Sequence, residues 1–486
     1  MATWQVGKVW EGDDIFIQKS ISSGTDGIRT SVYKNFESNM RVVVCRVPSP
    51  IYTLNIYVPT AVTDNKGTNA WTDNDHTSYT LDAASEDAVA NVLPALLDYV
   101  LNPLLREDQF FTEVYHYDMT GKEKGVVFSE MAARENTEFD ISYYNLGKLM
   151  FNLKATYANY SGGKTLDIAN LTNQEIINYH HKYYDANNIT VVLTGAFSDE
   201  FEDKYVQTIP AGIVQSHGCD SREPMDCSPP ESGAVWYETH RFPSADTDSG
   251  SIYFGWRGPQ HEDTELIIAL EILIEHLSGS PSSPLRLRFV ERALPLANSI
   301  DAYVSDSITR TIEIAFSGVP FAHHEPAVHP GDGSDEEAHD EVCDGDDEDD
   351  MKDPDIPHLF EERYFESLLV AEFKRIHDTR FDGDSHALEN AAKRVIDELA
   401  SAFENNPGNT LQYLLYPDIV ASHFSARSFG KFQVGSRARQ FDMITELGRK
   451  PVEFWLELLK KWFIDGTAYY VAMLPDAELG PKLEAE

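Results

Sequence analysis

Cysteine, basic residues and long apolar runs are all scarce in this chain of 486 residues. Its four cysteines, Cys45, Cys219, Cys227 and Cys343, lie far apart and form no C-x-x-C pair. That excludes a disulfide framework or a zinc ribbon and fits a reducing, cytoplasmic setting. Only 39 Lys and Arg stand against 80 Asp and Glu, a net charge of −41. Such a charge disfavours nucleic acid and anionic membrane surfaces as partners. Basic patches such as Lys460–Lys461 are too short to change this. No segment approaches the ~18 uninterrupted apolar residues of a membrane span. The opening MATWQVGKVWEGDD has neither a secretory apolar core nor an Arg-rich amphipathic stretch. Also missing are G-x-x-x-x-G-K-[ST], G-x-S-x-G and the Rossmann glycine pattern.

What is present is a soluble, globular composition, 42% apolar and 24% charged, in a chain long enough for more than one core. Part of the acidity is local. Residues 332–355 hold fourteen acids against one Lys, and are expected to form a disordered surface insertion. Residues 216–233, HGCDSREPMDCSPPESGA, read as a polar linker. They separate a first domain, 1–215, from a second, 234–475, with 476–486 leading onward.

The two domains look like one unit written twice. In the second, the strand SIYFGWRGP (251–259) leads to a helix, DTELIIALEILIEHLSGS (263–280), and then to a hairpin, 296–318. In the first, the strand TLNIYVP (53–59) runs through TAVTDNKGT straight into a hairpin, 68–82. Repeats differ in loops rather than by a core helix, so a helix is missing where the repeat predicts one. Elsewhere the signals are conventional. Ser85 should cap a helix with acids in its first turn. Thr172 and Glu175 form a capping box, and ITVVLTGAF reads as a buried strand.

Three blocks give the chain a lineage: IYTLNIYVPTAVTDNKG (51–67), TNAWTDNDHTSYTLD (68–82) and GVVFSEMAARENT (125–137). They resemble the N-terminal domain of the pitrilysin/insulysin family of zinc metallopeptidases, nearest its presequence-protease-like branch. LTNQEIINYHHKYYDANNITVVLTGAF is similar to the end of that domain, and SGSPSSPLRLRFVE (278–291) to the family's non-catalytic second domain. The resemblance implies an α+β fold of two homologous domains, each a mostly antiparallel sheet covered by helices. It also implies a second half beyond residue 486. In the family an H-x-x-E-H helix sits between the first two blocks and supplies two zinc histidines and the catalytic base. Here Gly67 is followed directly by Thr68, and H-x-x-E-H occurs nowhere.

By the same resemblance Glu130 matches the distal zinc ligand, and Glu123, seven residues earlier, a second acidic position on the same helical face. Neither is a site alone, because zinc needs three or four converging ligands. Replacements are poor. His180 and His181 are adjacent, so they point ~100° apart on a helix. At the E-H pair Glu275–His276 the first histidine's place is taken by Ile272. His76 has no partner at helical spacing, and His323, His324 and His329 sit beside the acidic run. Zinc is therefore expected to be absent or weakly bound, and the chain inactive as a metalloendopeptidase. The edge strand Asn69-Ala70-Trp71-Thr72 matches the family's peptide-docking strand, where substrate adds by main-chain hydrogen bonds. Peptides are the expected partners, and self-association through uncovered sheet is a second expectation. The alternatives are a non-catalytic peptide-binding or scaffold subunit, or an incomplete gene model of an active peptidase. Genomic sequence around the Gly67 codon separates the last from the others.

Overall fold

A computed structural model of the protein describes residues 4–6, 17–23, 25–35, 40–47, 49–59, 70–201, 227–231, 236–320, 358–361, 363–384, 386–424 and 440–485. The acidic run 332–355, most of the linker 216–233, Asn69, the 60–67 connection and His323, His324 and His329 lie outside the described residues.

Two mixed sheets dominate. The first holds β1 (Trp4–Val6), β2 (Ile17–Ser23), β3 (Thr25–Asn35), β4 (Arg41–Arg46), β5 (Tyr52–Pro59), β6 (Ala70–Thr72), β7 (His76–Ala83) and, after a two-stranded β8 (His116–Tyr117) and β9 (Glu123–Lys124), β10 (Thr190–Gly195). The second holds β11 (Tyr237–Pro243), β12 (Ser249–Gln260), β13 (Ser299–Val304), β14 (Thr309–Pro320) and β15 (Tyr469–Asp476). Inside the first sheet the order β4-β10-β5-β7-β6 repeats in the second as β11-β15-β12-β14-β13. The one parallel pair falls at the same place in both, β4 with β10 and β11 with β15. All other neighbours run antiparallel. The sequence repeat is thus a structural repeat.

Both faces of β10 are covered, and all six of its residues are buried. That is why it reads as a continuous apolar run instead of an alternating one. One face of the first sheet packs Val42, Val44, Leu54, Ile56, Val58, Val191 and Leu193 against the Glu86–Leu101 helix. Ser85 caps that helix, its side chain accepting from the Ala88 N–H. The Asn173–Tyr183 helix begins with the Thr172/Glu175 capping box. On the matching face of the second sheet, the Thr264–Ser278 helix lies over Ile312, Ile314 and Phe316 of β14, all fully buried. The same side of β7 carries Thr77, Tyr79 and Leu81, opposite Val58, Ile56 and Leu54. Tyr79 and Leu81 are only half-buried. Among the described residues, the first unit's β7 is thus the less covered of the two matching strands.

The opposite faces are covered by exchange. The Glu138–Met150 helix comes from the first half of the chain but packs on β11, β12 and β15. Its Leu146, Leu149 and Met150 meet Val471 and Met473. Gly147 lets the same helix approach the 156–158 turn, because a Cβ there would lie 2.5 Å from the Tyr157 carbonyl oxygen. In return the Pro407–Phe424 helix packs on β5 and β10 of the first sheet. Its Leu415 and Ile419 meet Val43, Cys45, Val47, Tyr57 and Val192. Burying each such side chain contributes about 1.5–3 kcal/mol, so each half stabilises the other's sheet.

Candidate functional site

Glu130 lies half-buried on the Val126–Arg134 helix, whose one fully buried residue is Met131. Gly125 precedes the helix at φ 140°, where a Cβ would stand 2.1 Å from the Val114 carbonyl oxygen. Only glycine fits so close an approach. Glu123 does not share the helix as expected. It sits exposed in β9, and its Oε1 accepts from the Tyr115 hydroxyl at 2.7 Å. Its place in a strand comes from the chain reversal at Asp118–Gly121, where the Asp118 carboxylate accepts from Thr120 and Lys122 N–H groups.

His180 and His276 are packed inside the fold. His180 Nε2 donates to the Val100 carbonyl at 2.9 Å, and burial pushes its pKa down. Burial, then the Arg394 charge, takes His276 down to about 4. Among the described residues no group of three or more His, Cys, Asp or Glu is placed to hold a metal ion. The described residues do not fit a zinc centre.

Strand β6 is the terminal strand of the first sheet and pairs only with β7. Trp71 is 39% exposed and meets His76 edge-on at 6.5 Å between centroids, so it is not a core residue. The Thr72 carbonyl accepts from Ser161 Oγ at 3.2 Å. Among the described residues Ala70, Trp71 and Thr72 thus form an open edge with one capped carbonyl, while Asn69 lies outside them.

The turn after β6 holds a cluster that the sequence reading missed. His76 is fully buried and its Nδ1 donates to Asp75 Oδ1 at 2.7 Å. Burial opposes its protonation, but the hydrogen bond and charge of Asp75, with Asp73 behind, outweigh it and raise the pKa. Asp75 Oδ2 accepts from the Tyr157 hydroxyl at 2.7 Å, and that hydroxyl accepts from the Ile308 N–H at 2.8 Å. This chain of bonds ties the β6–β7 turn to the β13–β14 turn. Between the two turns lies a cavity of about 80 Å³. Asp73, Asn74, Asp75, Asp306 and Glu313 line it, and the exchanged helices wall it with Tyr143 and Tyr416. Burial, then the nearby Asp75, raises the pKa of Asp73, and burial raises that of Glu313. The available signal was the acidity of both turns, Asp73-Asn74-Asp75 and Ser305-Asp306-Ser307.

Two sheets related by a repeat, each with helices packed on it, define a pitrilysin-like architecture. Residues 170–328 match the family model described as peptidase M16 inactive domain. The uncharacterized protein C3H1.02c of Schizosaccharomyces pombe is 27% identical over 431 residues, 86% of this chain and 36% of that protein. The mitochondrial presequence protease of Kluyveromyces lactis is 26% identical over 260 residues, 51% of this chain and 26% of that protein. The crystal structure of pitrilysin superposes with a TM-score of 0.59 at 12% identity, covering 98% of this chain and 47% of that one. The chain is thus similar to M16 peptidases in sequence over part of its length and in fold over nearly all of it. It spans 25–38% of the length of the S. pombe, Saccharomyces cerevisiae and Caenorhabditis elegans relatives it matches.

Proposed function

We propose that this chain binds peptides in extended form along the open edge at Asn69–Thr72 and does not hydrolyse them. The observation that carries the reading is β6 itself, a terminal strand in a chain without H-x-x-E-H. Main-chain pairing needs no metal and no particular side chain, so docking outlives the loss of the metal centre. Hydrolysis does not: a lone Glu130 neither holds zinc nor activates water.

The test is fluorescence anisotropy with a labelled, unstructured twenty-residue peptide, followed by mass spectrometry of the same mixture. Saturable binding with the peptide intact is expected. Ala70→Pro should abolish binding by removing a backbone donor, and Trp71→Ala should weaken it by no more than a few-fold. Chelator-sensitive cleavage, or equal loss in both variants, contradicts the reading.

One observation favours a second reading, a non-catalytic scaffold subunit. Phe111, Tyr117 and Leu171 are exposed around one open groove, and exposed apolar patches mark interaction surfaces. Sedimentation of the purified chain as a monomer with no concentration dependence would remove the self-associating form of that reading.

A further inference from the structure

We propose that the cavity between the β6–β7 and β13–β14 turns binds a primary ammonium group of an organic cation. Four carboxylates line it, those of Asp73, Asp75, Asp306 and Glu313. Two have cationic partners at their backs. His76 holds Asp75, and Arg310 lies 3.0 Å from Asp306 Oδ1. Asp73 and Glu313 make no ion pair among the described residues, although the His76 charge also reaches Asp73. The Asp73 carboxylate takes only the Asn74 N–H, at 2.7 Å. Glu313 takes the Thr311 and Tyr303 hydroxyls, each at 2.6 Å. Neutral donors of this kind do not balance two half-buried carboxylates that face one cavity.

A second observation is independent of charge. Asn74 lines the same cavity, is 2% exposed, and its Oδ1 has no hydrogen-bond partner. Buried amide oxygens are satisfied in the great majority of cases, so this acceptor points to a missing donor. An ammonium carries three N–H donors and one positive charge. The Tyr143 and Tyr416 rings add walls suited to a cation. Burial raises the pKa of Asp73 and Glu313, and a cation bound between them would draw both back toward the ionised form.

Size and geometry narrow the ligand. The cavity is several times the ~10–15 Å³ that one water needs, room for an ammonium head and its first methylenes. A divalent metal does not fit, because no three carboxylates or histidines converge among the described residues. The cation is either a free amine or a lysine side chain of a peptide. This site stands whether or not peptides dock along β6, because a free diamine probes it alone.

Isothermal titration of the full chain at low salt provides the test. The probes are 1,5-diaminopentane and the capped peptide Ala-Ala-Lys-Ala-Ala, with its norleucine counterpart as control. One site per chain is expected for at least one amine probe and none for norleucine. Which probe binds tells free amine from side chain. Asp73→Asn in the β6–β7 turn and Glu313→Gln in β14, both nearly isosteric, should each weaken binding at least tenfold with cooperative unfolding kept. Asp87→Asn, at an exposed acid, should change nothing. The proposal fails if neither probe saturates one site. It also fails if both cavity variants bind as wild type, which would mark surface charge attraction, or if magnesium chloride competes as strongly as the diamine.

Discussion

Leu415→Ala should loosen a sheet that lies far from it in sequence. Leu415 belongs to the Pro407–Phe424 helix, is fully buried, and packs on the first sheet among Val43, Cys45, Tyr57 and Val192. Truncating a buried Leu costs about 2–5 kcal/mol, depending on how far the cavity collapses. Each 1.4 kcal/mol is a factor of ~10 in an equilibrium, so even ~2 kcal/mol raises the open population roughly thirtyfold. The assay is hydrogen exchange with mass spectrometry, resolved by strand. Peptides covering β4, β5 and β10 should exchange faster, while those covering β12 and β14 keep their protection. If the helix alone loses protection and 190–195 stays as in wild type, the exchange of helices between the halves is not what holds the first sheet. The same logic forbids treating residues 234–475 as self-sufficient, because the Glu138–Met150 helix covers their sheet.

Other outcomes follow from single residues. Gly125→Ala forces a Cβ against the Val114 carbonyl at positive φ, and should lower the calorimetric Tm by several degrees, equivalent to about 1–3 kcal/mol; an unchanged Tm would show that the backbone relaxes freely. His76 has a folded pKa above its ordinary ~6.5, so its contribution is full below that value and lost as pH climbs through the raised one. Asp73 and Glu313, also raised, act in the same direction from about pH 4 upward. The urea midpoint should therefore fall from pH 5.5 to 8, and fall less in His76→Gln; an identical slope in the variant would remove His76 from the account.

Much of this architecture was legible in the sequence. The strand TLNIYVP, its counterpart SIYFGWRGP and the two hairpins gave the repeat through apolar patterning. Capping at Ser85 and Thr172 gave helix starts to the residue, because caps depend on local hydrogen bonds. What was not legible is long-range. An apolar face on the Glu138–Met150 helix says that it is buried, not against which sheet. Glu123 was placed on a helix because the reversal at Asp118 rests on local polar bonds that periodicity does not report. The cavity was missed because Asp73 and Asp306 meet only after both hairpins fold and the halves dock. Trp71 reads as a core residue by type, and only the edge position of β6 puts it at the surface.

The central proposal is that an M16-like fold works here without a metal centre. The direct measurement is elemental analysis of zinc in the purified chain after dialysis against metal-free buffer. The account predicts well below one zinc per chain, unchanged in Glu130→Gln. One zinc per chain, lost in Glu130→Gln, would contradict it.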